Sequence, residues 1–205
     1  MHKEILSEEQ SRLLPLIQVF NKEFVLVGGT AVALHIGHRK SIDFDLFKTG
    51  ALHRKKILER IKSYNSNYIV TRSVSEQLNV DVNNVKLTFF DYPFEINKSF
   101  WLDKTIKLPD LPSLSAMKAY AMGRRSKWKD YVDLYFILKD HFTINEISTR
   151  AIEIYGDLFS EKLFRAQISY FKDVDYSEEI EFMEGFGVSN KVVQDFLITK
   201  ALQAD

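Results

Sequence analysis

The chain has 205 residues, a formal net charge of zero, 45% hydrophobic and 13% aromatic residues, and no cysteine. That apolar content builds a buried core and excludes a disordered polymer, and no apolar run approaches the roughly 20 residues needed to span a bilayer. Without cysteine there are no disulfides, thiolate metal sites or cysteine nucleophiles; residues 1–10 are polar and acidic and lack a signal-peptide pattern, so a cytoplasmic protein with no membrane partner is expected.

Ser7-Glu8-Glu9-Gln10 has capping-box form, and Leu13, Leu14, Ile17 and Phe20 follow at helical spacing. Phe24-Val25-Leu26-Val27 reads as a short buried strand entering a tight turn at Gly28-Gly29. Residues 30–36 read as a short helix with Gly37 past its end. Residues 42–47 alternate apolar and acidic side chains, which predicts a strand. A basic amphipathic helix is expected over 52–63, and strands over 68–74 and 85–90. Pro109 and Pro112 mark a boundary. Beyond it, Thr143-Ile144-Asn145-Glu146 repeats the capping box, and Ser160 and Ser189 can each start a helix. The expected class is α+β: an α/β part over residues 1–110, then a helical lobe over 111–205.

Charge is unevenly spread. Eight basic residues lie between Arg39 and Lys62, and Lys118, Arg124, Arg125, Lys127 and Lys129 form a second cluster. Residues 173–184 carry Asp173, Asp175, Glu178, Glu179, Glu181 and Glu184 with no base. Composition leaves three readings of that acidic stretch open: a solvated face, a partner surface, or a cover folded toward the basic clusters.

The stretch that carries chemistry is Val27-Gly28-Gly29-Thr30, followed after twelve residues by Asp43-Phe44-Asp45. Two glycines between strand and helix let backbone N–H groups approach a phosphate with no side chain in the way. Thr30 can cap the helix and offer its hydroxyl to a phosphate oxygen. Asp43 and Asp45, two apart on a strand, project from one face, with Ile42, Phe44 and Leu46 expected to face a core. Two adjacent carboxylates suit Mg²⁺, which takes hard oxygen ligands together with substrate phosphates and water. His35 and His38 have no third nitrogen or sulfur ligand nearby and do not make a zinc site. His38-Arg39 falls in the loop before the acidic strand, near the phosphates or the acceptor. Trp128 reads as a core aromatic, with stacking on a base as the alternative.

Residues 26–47, LVGGTAVALHIGHRKSIDFDLF, resemble the first motif of the nucleotidyltransferase superfamily, and more narrowly that of the AbiEii/AbiGii abortive-infection toxins of bacterial type IV toxin–antitoxin systems. Residues 114–138, LSAMKAYAMGRRSKWKDYVDLYFIL, are similar to that group's downstream helical motif, and VKLTFFDYPF at 85–94 to the strand between the two. The resemblance implies a mixed β-sheet flanked by helices, with a helical C-terminal lobe closing the cleft. It implies transfer of a nucleoside monophosphate from a nucleoside triphosphate, with two Mg²⁺ ions, onto an RNA acceptor such as a tRNA 3′ end, and a cognate antitoxin as partner. By the same resemblance Gly28, Gly29 and Thr30 hold the triphosphate and Asp43 and Asp45 the metal. Lys118 contacts nucleotide phosphates, and Asp130 serves the active site. Arg124 and Arg125, in the same helical motif, are expected to bind the nucleotide; Asp133, on a helical face next to that of Asp130, either serves the site or holds Arg124 or Arg125 in place.

The superfamily's third carboxylate has no obvious counterpart, because the outward positions of the strand at 85–90 are Lys86, Thr88 and Phe90. Asp91 supplies it only if the strand bends there, and is otherwise a turn residue before Tyr92-Pro93; Asp130 is the other candidate. A single straight helix over 114–138 would place Asp130 about 120° round from Lys118, so a break near Gly123 or Ser126 is expected. Two further readings stand beside the RNA-directed transferase: a transferase for a small-molecule or protein acceptor, and a degenerate fold that only binds a nucleotide or a partner.

Overall fold

The computed structural model describes residues 1–64, 67–122 and 124–203. Helix α1 (Glu8–Gln18) begins at the expected box, with the Ser7 hydroxyl accepting from the Gln10 N–H and the Gln10 side chain accepting from the Ser7 N–H. Strand β1 (Val25–Val27) follows, all three residues buried, and runs directly into α2 (Gly28–Ile36). This helix starts two residues earlier than its apolar spacing suggested, because the glycines themselves form its first turn. Gly37 ends it at φ +78°, the left-handed C-cap that glycine adopts without strain.

β2 (Phe44–Lys48) is joined through α3 (Arg54–Ser63) to β3 (Tyr68–Ser73), β4 (Gln77–Val82) and β5 (Val85–Asp91). β6 (Phe100–Leu102) and β7 (Ile106–Leu108) complete one seven-stranded sheet in the order β3-β4-β5-β2-β1-β7-β6. The sheet is mixed: β1 is antiparallel to β2 and parallel to β7, and β2 is parallel to β5. Sequence reading missed β4, although Leu78, Val80 and Val82 alternate with polar residues and are wholly buried. The β4–β5 connection is Asn83-Asn84 at φ +49° and +65°, a left-handed pair that asparagine tolerates in tight hairpins. Ile42, expected in the core, is 66% exposed because the strand begins only at Phe44.

From residue 111 the described elements are helical. α4 (Leu111–Met122) and α5 (Trp128–Asp140) are separate helices where the angular argument called for a break. Gly123, one expected break point, lies outside the described residues. Ser126 does not cap α5; the N-cap is Lys127, and the Ser126 carbonyl instead accepts from the Asp175 N–H at 2.7 Å. α6 (Ile144–Tyr155), α7 (Glu161–Ile168) and α8 (Asn190–Leu202) start at side-chain caps from Thr143, Ser160 and Ser189. The two parts share one core. Phe20, Phe24 and Phe89 pack edge to face on one side of the sheet, and α2 packs against α4 and α5. The lobes are thus set against each other through α2, the helix that carries the glycine turn. Among the described residues no helix is long and apolar enough to cross a membrane.

Candidate active site

Strand alternation puts Phe44 and Leu46 wholly in the core and leaves Asp45 on the opposite face of β2, with Asp43, the residue before the strand, beside it at the cleft. Asp45 stands between Val27 of β1 and Thr88 of β5. Gly28 has φ +73°, and a Cβ built there would lie 2.0 Å from Asp45 Oδ2. A Cβ on Gly29 would lie 2.5 Å from Arg39 Nη2. The two glycines therefore make room for a carboxylate on one side of the turn and a guanidinium on the other. Burial raises the Asp45 pKa; the charge of Arg125 opposes the shift and that of Asp43 adds to it. Among the described residues the Asp43 carboxylate makes long ion pairs, to Lys129 Nζ at 3.6 Å and Lys86 Nζ at 4.0 Å.

The pair opens onto a cleft of about 470 Å³. Among the described residues that line it, Asp43 and Asp45 are the only acids, facing Lys86, Lys118, Arg124, Arg125, Lys127 and Lys129. The opposite wall is aromatic, with Phe47, Phe90, Tyr92, Phe94 and Tyr120. Tyr120 is layered between Tyr155, at 3.8 Å and 8° between rings, and the Arg124 guanidinium at 3.6 Å. The Tyr92 hydroxyl meets that of Tyr155 at 2.6 Å, and burial pushes the Tyr92 pKa up to about 12.

Beneath the cationic wall is a buried ionic hub. Asp133, wholly buried, accepts from Arg39 Nε at 2.7 Å and Nη2 at 2.9 Å, from His38 Nε2 at 2.8 Å, and pairs with Lys118 Nζ at 2.6 Å. Asp130, also wholly buried, pairs with Lys118 Nζ at 2.5 Å and Arg125 Nε at 2.9 Å. Burial alone would raise both carboxyls. The facing cations overcome it: Arg39 and Lys118 hold Asp133 well below the usual range, and Lys118 and Arg125 lower Asp130.

Several sequence expectations change at this level. Thr30 is 1% exposed and neither caps α2 nor reaches the cleft; its hydroxyl lies 2.8 Å from Ser41 Oγ and bonds the Asp43 carbonyl. It braces the acidic strand against α2. Arg39 is 4% exposed and stands behind the glycine turn, held by Asp133. Asp130 lies under the lining, where it fixes Lys118 and Arg125, and takes no place on the cleft surface. Asp133 holds Arg39 and Lys118 rather than Arg124 or Arg125. Asp91 is not a third carboxylate beside the pair: it is three residues beyond Thr88 and so on the other face of β5, where it accepts from the Gly50 N–H at 2.9 Å. Among the described residues no group of three or more His, Cys, Asp or Glu is arranged for a metal. His35 turns to the Pro109 carbonyl at 3.0 Å and His38 to Asp133, so the two histidines diverge. Trp128 is 5% exposed and stacks with Tyr131, as a core aromatic does. The basic residues of α3 line no part of the cleft.

Lys127 and Lys129 belong to the basic cluster marked in the sequence, whereas Lys86 stood out there only as an outward strand position. The place of Lys127 and Lys129 in the site depends on the turn between α4 and α5.

Two expected outcomes follow from this geometry. Gly28→Ala forces a side chain into the left-handed region, which costs about 1–2 kcal/mol, and drives Asp45 off its position. We expect about a 100-fold loss of the site's activity, the scale of a 1 Å misplacement, and a Tm lower by a few degrees; a wild-type rate would contradict the close packing of Asp45 on the turn. His38 is held neutral by burial, its pKa lowered; its Nε2–H donates to Asp133 while buried Nδ1 has no hydrogen-bond partner among the described residues. The unfolded chain takes up this proton near pH 6.5 and the folded one does not, so stability is full above that pH and falls as pH drops below it. His35, also lowered by burial, acts in the same sense. Thermal unfolding against pH should therefore decline below about pH 6.5, with a shallower slope in His38→Gln; an unchanged slope would contradict a neutral His38.

A family model described as nucleotidyl transferase AbiEii toxin, type IV toxin–antitoxin system, matches residues 15–100 and 95–186. An uncharacterized protein of Aquifex aeolicus is 26% identical over 176 residues, covering 78% of this chain and 80% of its own. A crystal structure from H. pylori, described as a nucleotidyltransferase, aligns with TM-score 0.60 at 18% identity, over 95% of this chain and 94% of that one. MenT4, a nucleotidyltransferase toxin from Mycobacterium tuberculosis, aligns with TM-score 0.59 at 14% identity, over 94% of this chain and 81% of that one. At these identities the structural likeness is one of fold.

Proposed function

The chain belongs to the AbiEii nucleotidyltransferase toxin family of type IV toxin–antitoxin systems, and from that premise we propose that it transfers a nucleoside monophosphate from a nucleoside triphosphate onto RNA, with Mg²⁺ held by Asp43 and Asp45. The observation that carries the reading is the cleft itself: its only described acids are those two, on one face beside a glycine turn, under six cationic side chains. The donor set fits Mg²⁺, since two hard carboxylates leave the remaining positions to phosphate oxygens and water. Thr88 and Lys86 stand where a third carboxylate would, so a second ion would rest mainly on the triphosphate. Bound there, Mg²⁺ supplies charge neutralisation at the phosphates and lowers the pKa of an attacking hydroxyl.

The chain's own groups then have separable tasks. The first N–H groups of α2, with no side-chain cap at Val27, face the phosphates at the positive end of the helix. Lys118 and Arg125, fixed by Asp130, offer cations that need no ordering on substrate arrival. The aromatic wall takes the base, and Arg124 contacts acceptor phosphates. The family implies a neutralising antitoxin as partner.

Partitioning of label from an α-phosphate-labelled nucleotide tests the acceptor. With total tRNA present, label should enter RNA and be absent from protein and small-molecule fractions. Label in either of those fractions instead would overturn the RNA assignment. A second reading, a nucleotide-binding module without transfer, is favoured by one observation, Thr88 opposite Asp45 in place of an acid; nucleotide binding with no label in any fraction would establish it.

A further inference from the structure

The acidic stretch has a definite place. It is strapped at both ends by main-chain hydrogen bonds to loops that lead into the site. On one side the Asp175 N–H donates to the Ser126 carbonyl at 2.7 Å and the Trp128 N–H to the Asp175 carbonyl at 3.0 Å. On the other, the Lys40 N–H donates to the Glu181 carbonyl at 2.8 Å and the Met183 N–H to the His38 carbonyl at 3.1 Å. The first anchor is the turn that leads into α5, with Lys127 as its N-cap and Lys129 in its first helical turn, and the second is the loop ahead of Asp43.

Between the anchors the strap delivers one carboxylate. Glu178 Oε1 pairs with Lys127 Nζ and Oε2 with Lys129 Nζ, one oxygen to each ammonium. Lys129 Nζ is in turn 3.6 Å from Asp43 Oδ2, and both lysines line the cleft. Two ammonium groups held this close repel each other unless an anion lies between them. A carboxylate bridging two ammoniums through two oxygens presents the same pattern of acceptors as two oxygens of a phosphate. Glu178 is 39% exposed at its side chain and carries a single charge, so its hold is that of a partly solvated ion pair and can be exchanged.

We propose that Lys127 and Lys129 are the receiving pair for the triphosphate of the incoming nucleotide, and that Glu178 is the built-in anion that holds them in place until the triphosphate displaces it. The inference rests on the nucleotidyl-transfer reading above and adds to it the residues that select a polyphosphate over a monophosphate. Lys129 bridges the two halves of the site: it lies beside the carboxylate proposed for the metal, and a chain of phosphates bound at that metal passes within its reach. When the polyphosphate binds, Glu178 turns to solvent and the strap remains anchored by its backbone.

Binding of Mg²⁺-tripolyphosphate, Mg²⁺-nucleoside triphosphates and nucleoside monophosphates by calorimetry, on the full chain, tests this. Glu178→Gln keeps the shape and removes the competing charge, and should tighten tripolyphosphate and triphosphate binding about fivefold, the scale of one half-exposed ion pair, with monophosphate affinity unchanged. Lys129→Ala should weaken the polyphosphates about tenfold, and the double variant Glu178→Gln, Lys129→Ala should show no tightening over Lys129→Ala. A purely structural clamp predicts the opposite pattern, a lower Tm for Glu178→Gln and equal or weaker polyphosphate binding, and that result overturns the proposal. Should Glu178→Gln fail to fold, Glu178→Asp, which reaches one lysine at a time, is expected to tighten binding by a smaller factor, and no tightening there overturns it equally. Wild type that binds no triphosphate sinks the transfer reading along with this one; wild type that binds triphosphate with an unresponsive Glu178→Gln sinks this one alone.

Discussion

Asp45→Asn is expected to abolish nucleotidyl transfer, by at least about 10³-fold, without weakening the fold. The loss follows from removing one of the two carboxylates proposed to hold the cation against the developing phosphate charge, a contribution of roughly 4 kcal/mol or more to the barrier. The unimpaired fold follows from where Asp45 sits. Burial raises its pKa, with Asp43 adding and Arg125 opposing, so the folded protein holds that proton more tightly than the unfolded chain. Sign matters here: above the folded pKa the ionised group costs stability in the metal-free protein, and below the unfolded value near 3.9 it costs none. Asparagine removes the charge and keeps the size. Its Tm at pH 7 should equal or exceed that of wild type, the difference shrinking toward pH 4. Mg²⁺ should raise the wild-type Tm and leave the Asp45→Asn value unchanged. A variant that loses activity because it unfolds would contradict this account of Asp45.

Asp133→Ala is expected to be the most damaging substitution for stability. It leaves Arg39, His38 and Lys118 around an empty position, all of them buried. Breaking a buried ionic network from one side costs about 3–5 kcal/mol, which corresponds to a Tm lower by about 10 °C for a domain of this size. Arg39 and Lys118 hold the Asp133 pKa well below the ordinary value, overcoming its burial. The contribution is therefore complete above the unfolded pKa and lost only as pH falls through the folded one, so the deficit should be the same at pH 6 and pH 8. Urea melts at the two pH values check this. A deficit under about 1 kcal/mol would mean the hub is solvated in a way its burial excludes.

The placement of Asp43 and Asp45 beside the glycine turn was legible because it depends on local rules. Strand alternation fixed their common face, and a Gly-Gly step between strand and helix implied close approach of something to the backbone. The break between α4 and α5 was legible by the same means, since a continuous helix could not bring Lys118 and Asp130 together. The hub was not legible. Arg39 and Asp133 are separated by 94 residues, and nothing at either position says which charge will meet it; Arg39 therefore read as a ligand contact although it is a buried strut. Asp130 read as a reacting group for a related reason: a motif marks a residue as needed without saying whether it touches substrate or holds what does. Asp91 was decidable by counting, because its parity on β5 differs from that of Thr88. The polarity of residues 173–184 was visible, but its destination depended on backbone bonds to two distant loops. β4 carries two signals, an alternating apolar face and an Asn-Asn turn, that sequence reading did not use.

The most direct test of the account supplies the protein with Mg²⁺, acceptor RNA and one nucleotide labelled in turn at the α and the γ phosphate. The account predicts label in RNA from the α position alone, with the γ label released in pyrophosphate, and neither with Asp43→Ala, Asp45→Ala. Label passing from the γ position would make the site a kinase, and bound nucleotide with no label transferred from either position would make it a binding module; either result contradicts nucleotidyl transfer at Asp43 and Asp45.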